Sequence, residues 1–214
     1  MRNIWKAAGA TLALLVSVTA EAQGYPQPPP RGYREPYGLR HNGLYLNGEL
    51  GPAYLSSTFS VPGYSDQTAS GPALFGSIAM GGSLAPNLIL AADLFGVVAA
   101  NPTVNYGGTN YDYSLSLVGL GPELVYYFEP SNMFISATLA FTRLTESSGN
   151  VDYASSNIGL GGRIVIAKEW WLGPRFGLGL GGQVFLSSNG EPSDVGTQRI
   201  STWGAGMLMS VTLN

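Results

Sequence analysis

The chain has 214 residues, with 10 Lys and Arg, 13 Asp and Glu, 30 glycines and no cysteine. Charged residues make up only 11%, against about 25% in an ordinary soluble domain, and the net charge of −3 excludes a generally basic nucleic-acid binder. The missing cysteine excludes a disulfide framework, a thiolate metal site, a cysteine nucleophile and a lipid-modified N-terminal Cys.

Residues 1–22 read as a secretory signal. Arg2 and Lys6 give a positive start, Ala7 to Val18 an apolar run of 12 residues, and Ala20-Glu21-Ala22 a small-x-small cleavage site. The run is too short for a transmembrane helix, which needs about 20 apolar residues. Residues 23–41 are a Pro-rich piece without apolar periodicity, whose prolines favour extended conformation. Export makes it a periplasmic leader.

From residue 42 the dominant signal is period two, the mark of strands, which place successive side chains on opposite faces. The first segment, Asn42 to Leu55, sets Leu44, Leu46 and Leu50 against Tyr45, Asn47 and Glu49. The second, Pro72 to Leu84, and the third, Asn87 to Val98, continue the pattern. In the third, Leu90 and Leu94 oppose Asp93 and Phe95. The fourth, Tyr111 to Phe128, predicts Tyr113, Leu115 and Leu117 on the apolar outer face, then Leu124, Tyr126 and Phe128 on that face, with Glu123 opposite. Those two sets have opposite parity, so a bulge is predicted between Gly119 and Pro122.

The fifth, Met133 to Leu144, sets Ile135, Leu139 and Phe141 against Ser136, Thr138 and Thr142. The sixth, Ile158 to Lys168, sets Leu160, Ile164 and Ile166 against Gly161, Arg163 and Val165. The seventh, Arg175 to Ser187, and the eighth, Arg199 to Leu213, alternate Leu, Val, Met and Trp with Gly, Ser and Thr. Short turns join segments 2–3, 4–5 and 6–7. Longer polar stretches, 56–71, 99–110, 145–157 and 188–198, join the others. Short periplasmic turns alternating with longer external loops are what an up-and-down outer-membrane barrel shows. This places both termini on the periplasmic side.

The sign of the alternation decides what surrounds the barrel. A soluble barrel turns its charged face to water. Beyond the signal the chain has a single lysine, Lys168. The Leu/Ile/Val face therefore points to lipid and the Gly/Ser/Thr face inward. Tyr126, Tyr127 and Phe128 before one short turn, and Trp170 and Trp171 before another, are predicted to form the periplasmic aromatic girdle. An eight-stranded barrel has an interior just wide enough for side chains to fill. Inward glycines are expected to make room for Phe75, Phe95 and Phe185.

These features, with local runs such as Gly119-Leu-Gly-Pro-Glu-Leu-Val-Tyr-Tyr-Phe and Lys168-Glu-Trp-Trp, make residues 42–214 similar to small eight-stranded bacterial outer-membrane β-barrel proteins. The resemblance implies an all-β, antiparallel up-and-down transmembrane barrel. It also implies outer-membrane lipid, lipopolysaccharide and the barrel-assembly machinery as partners. Barrels of that family end in an aromatic residue that this machinery reads; this chain ends Val211-Thr-Leu-Asn214 and lacks it.

Inward parity collects Glu49, Asp93, Glu123 and Arg163. Charges inside a barrel must be paired or hydrated, so Arg163 is expected to pair with these carboxylates and plug a polar lumen. The alternative is a gate or a narrow, cation-preferring path. The one histidine, His41, precedes the first segment, and no Ser-His-Asp or His-rich metal constellation can be drawn. The expectation is a monomeric, non-enzymatic envelope protein without cofactor or metal. Its role would be structure or surface interaction, with a narrow porin-like channel or lateral-diffusion path as the alternative.

Overall fold

The computed structural model describes residues 43–105, 113–148, 151–173, 175–193 and 196–213. The signal, the Pro-rich leader, His41 and Tyr111 lie outside the described residues.

Eight long strands carry the fold: β1 (Leu44–Ser60), β2 (Gln67–Ala85), β3 (Leu88–Ala100), β5 (Tyr113–Phe128), β6 (Met133–Ser148), β8 (Gly159–Trp171), β9 (Phe176–Ser193) and β10 (Gly196–Leu213). Two short pieces, β4 (Thr103–Val104) and β7 (Val151–Ser155), pair with β2 and β6 inside the connections. Each long strand pairs antiparallel with its chain neighbour, and β1 pairs with both β2 and β10. The sheet therefore closes on itself. Closure is what lipid requires, because an open edge would leave backbone N–H and C=O groups with no partner in hydrocarbon.

The alternation predicts the two faces correctly on most strands. Leu50, Leu74, Leu94, Leu124, Ile164 and Met209 are exposed on the outside, while Phe75, Phe95, Val125, Val165 and Phe185 are buried inside. An exposed apolar belt on all eight strands exceeds by far the few hundred Å² that a soluble monomer leaves open. It is the lipid-facing band of a transmembrane β-barrel.

Two local expectations are corrected. The pairing of β5 with β3 and with β6 runs without a register shift, so no bulge separates Gly119 from Pro122. Leu115 and Leu117 are fully buried and face inward, and Tyr113 is half-buried on the same side. The reason is the filling of that end of the lumen: both leucines belong to an apolar cluster with Phe75, Phe95, Val97 and Leu144. The second correction concerns the long connections. Much of each polar stretch is strand, with β9 reaching Ser193 and β10 beginning at Gly196. Beyond the lipid band the outer face no longer needs to be apolar, so polarity there marks emergence from the membrane and not the end of pairing. Cross-strand hydroxyl pairs, Ser57–Thr202 at 2.8 Å and Thr58–Thr68 at 3.3 Å, join β1 to β10 and to β2 towards this end.

Inward glycines make room for two of the aromatic rings. Gly119 pairs with Phe95 and Gly204 with Phe185. A Cβ at Gly119 would enter the Phe95 ring, and one at Gly204 the Phe185 ring. The phenyl groups lie over bare backbone, which is how a narrow barrel houses them.

Candidate functional site: the ionic layer in the lumen

Four strands bring one charge each to mid-barrel. β1 carries Glu49, β3 Asp93, β5 Glu123 and β8 Arg163, all on inward parity. Arg163 is fully buried. Its Nη1 donates to Glu49 Oε2 at 2.5 Å, and its Nη2 to Asp93 Oδ2 at 2.9 Å and to Glu123 Oε1 at 3.5 Å. The structure thus brings all four predicted residues together, with the diverging guanidinium nitrogens spanning carboxylates on separate strands.

Other groups hold the layer in place. Ser77 donates to Glu49 at 2.9 Å and Thr138 to Asp93 at 2.9 Å. Gln183 accepts from Arg163 at 3.4 Å. The guanidinium carbon lies 5.1 Å from the Phe75 ring centre and 5.7 Å from that of Phe95, within cation–π range. Asp93 Oδ1 and Arg163 Nε are buried without a hydrogen-bond partner among the described residues.

The lumen joins buried polar side chains, among them Asn47, Ser77, Thr138, Gln183, Asn189 and Thr212, to buried apolar ones. The ionic layer lies between two apolar clusters. One, with Leu55, Phe75, Phe95, Leu115, Leu144 and Phe185, fills the end that bears the long connections. The other, with Tyr45, Ile89, Val125, Phe134 and Val165, fills the short-turn end. Apolar side chains fill the space that the polar ones leave, because hydrogen-bonding partners in so narrow a lumen are few and an unpaired polar group there is destabilising.

The aromatic girdle is also corrected. Tyr126 and Phe128 are 43% and 47% exposed, and Trp170 is 48% exposed, all on the outer face. Tyr127 is 1% exposed and points into the lumen, while Trp171 is half-buried at the rim. Consecutive strand residues cannot share a face, so of Tyr126-Tyr127 and Trp170-Trp171 only one of each turns fully to lipid. Lys168, on the outward parity, bends to donate to the carbonyl of Ser131 in a short turn, keeping its charge at the rim.

Glu169 escaped the sequence reading. It is buried at the short-turn end, accepting from Tyr127 Oη at 3.1 Å and from Thr212 Oγ1 at 2.7 Å. Asn47 donates to the same threonine at 3.0 Å. Parity with Arg163 was the available signal, since residues 163, 165, 167 and 169 share one face.

At the opposite end, beyond the lipid band, Tyr113 Oη donates to Glu146 at 2.8 Å. Burial pushes the Glu146 carboxyl above its ordinary range, the tyrosine bond opposes that shift, and the nearby Glu191 adds to it. These groups line an open cavity of about 240 Å³ with Phe59, Gln67 and Gln198.

The fold and its apolar belt define a small outer-membrane β-barrel. No family model matches the chain, and no curated protein matches it. Among solved structures it is similar to Neisserial surface protein A, at 18% identity over 80% of this chain and 96% of that one, with a TM-score of 0.48. It is also similar to the outer membrane protein AlkL, at 13% identity over 90% of this chain and 96% of that one, TM-score 0.45. The outer membrane protein OprG from Pseudomonas aeruginosa matches at 12% identity over 82% and 99%, TM-score 0.34.

Proposed function

We propose that this is a monomeric, non-enzymatic outer-membrane protein that serves envelope structure or surface interaction, with a sealed lumen. Its partners on this reading are outer-membrane lipid, lipopolysaccharide and, during insertion, the barrel-assembly machinery. The Pro-rich leader, both termini and the short turns lie in the periplasm, and the strand extensions project outside. The observation that carries the reading is the ionic layer enclosed between two apolar clusters. Its charged groups are engaged with one another inside the barrel, away from any substrate that could approach from lipid or water.

The test is conductance in planar bilayers. Wild-type protein should add no unitary current. Single-channel steps from the wild type would overturn the sealed-lumen reading in favour of a narrow channel, and cation selectivity would then point to the three carboxylates. Protease added to intact cells should cut the long connections and leave the short turns whole; the reverse pattern would overturn the orientation.

A further inference from the structure

The outer wall carries a groove that the lipid band does not require. It runs over β6, β8, β9, β10 and β1, with a volume of about 530 Å³. Paired register sets Leu139, Gly162, Leu186 and Trp203 in one row and Leu160, Ser188, Ser201 and Thr58 in the row towards the long connections. Leu139, Leu160, Leu186 and Trp203 are all exposed and form its walls. Small outward residues, Gly162, Ser188 and Ser201, form its floor.

Cations frame the groove on one side. Arg143 stands on the outward parity of β6, beyond Leu139 and Phe141, and Arg199 on that of β10, beyond Trp203 and Ser201. Arg199 pairs with Gly190, in the row that follows Ser188 and Ser201. Neither arginine has a carboxylate partner among the described residues. The remaining described cations are Arg163 in the lumen and Lys168 and Arg175 near the short turns. Both basic groups at the long-connection end of the wall therefore flank this one groove. They stand three strands apart, about 14 Å at the usual strand spacing.

We propose that the groove binds an acylated glycolipid carrying two separated phosphates, the lipid A class. An acyl chain would lie over Gly162, Ser188 and Ser201 against Trp203, with Arg143 and Arg199 each taking a phosphate. The spacing of the arginines suits two phosphates better than the single phosphodiester of a glycerophospholipid. The site rests on the proposed orientation, which puts this end of the wall in the outer leaflet.

The test uses the full chain refolded into phosphatidylcholine nanodiscs that contain a minority of bisphosphorylated lipid A, its dephosphorylated form, or phosphatidylglycerol. Retained lipid is counted by native mass spectrometry after detergent extraction. Wild type should retain lipid A and neither of the others. Joint Arg143→Ala and Arg199→Ala should lower retention about tenfold. Ser188→Leu with Ser201→Leu, which fills the groove with residues suited to lipid, should lower it similarly while leaving heat-modifiable gel mobility unchanged. Unchanged retention in either folded variant, or equal retention of phosphatidylglycerol, would overturn the site. Nanodiscs have no inside or outside, so this result is independent of the protease test of orientation.

Discussion

Replacing Arg163 with methionine is the sharpest perturbation the lumen offers. Methionine keeps much of the apolar stem but removes the guanidinium, and with it the cation over the Phe75 and Phe95 rings. Glu49, Asp93 and Glu123 then face one another with no cation. Their present distances to the guanidinium are 2.5, 2.9 and 3.5 Å, and the carboxylate side chains are at most 3% exposed. Removing one partner of a buried ion pair typically costs about 3–5 kcal/mol, because the other charge stays buried and unpaired. Two of the three contacts are short, so Arg163→Met should lose at least about 3 kcal/mol, a large part of the roughly 5–15 kcal/mol that holds a typical domain. Urea titration of protein refolded in vesicles, followed by tryptophan fluorescence and by gel mobility, measures it. Adding Glu49→Gln, Asp93→Asn and Glu123→Gln to Arg163→Met should recover most of the loss, since a neutral set has no stranded charge. Arg163→Lys should fall between, because one ammonium cannot span carboxylates on three strands. A loss below about 1 kcal/mol for Arg163→Met would refute the reasoning, because it would place the layer in the range of solvent-screened pairs.

Three further outcomes are expected in the same assay. Gly119→Ala should destabilise by about 1–3 kcal/mol through overpacking, and Phe95→Leu in the same chain should return part of that, because the obstructing atoms are those of the Phe95 ring. Gly173→Ala, which has nothing within 4 Å of the added Cβ, is the neutral control. Tyr127→Phe should lose about 1.5–3 kcal/mol, the range for a hydrogen bond to a charged group, whereas Tyr126→Phe on the outer face should change little; equal effects would contradict the inward placement of Tyr127. Glu146→Gln should raise stability at neutral pH. A carboxyl raised in the folded state gives stability that is present below its ordinary range and lost as pH rises through the folded value. The benefit of the glutamine should therefore shrink as pH falls below the ordinary carboxyl range, and a benefit that grows there would be the wrong sign.

How far the sequence reveals this molecule depends on how many faces carry a signal. All eight strands are legible because lipid on one side and a packed lumen on the other impose opposite chemistries on alternate residues. The scarcity of lysine then identifies which face meets lipid. Legibility fails where that contrast disappears. Leu115 and Leu117 look like lipid-facing residues, but apolar side chains also fill the lumen, so hydrophobicity alone cannot choose their side. Only the parity inherited from Glu123 along an unbroken β5 does. The Ser- and Gly-rich extensions of β9 and β10 lack the apolar residues that would mark a lipid-facing side, so they show no hydrophobic period. Glu169 sits between a lysine and two tryptophans and reads as a turn-flanking charge, although its parity is that of Arg163. The ionic layer itself is legible only as a set. Arg163 is separated in sequence from Glu49, Asp93 and Glu123 by 114, 70 and 40 residues. Parity puts all four inside, and the register of a closed sheet brings them to one height.

The sealed lumen proposed above would limit where the molecule can act. Arg163 cannot leave its carboxylates without stranding them. Rearrangement of the layer is thus coupled to the stability of the whole barrel, which makes it a poor gate and a good fastener: it ties β1, β3, β5 and β8 together across the interior, where the backbone ladder ties only neighbours. A fastened barrel presents its variable chemistry at two places, the strand extensions in water and the wall in lipid. The extensions are rich in Ser, Asn, Gly and Thr, and the wall is mostly apolar, with Arg143 and Arg199 at its long-connection end. Glycines recur on the outward parity, at positions 48, 76, 96 and 182, so what sets the small residues at 162, 188 and 201 apart is the two arginines beside them.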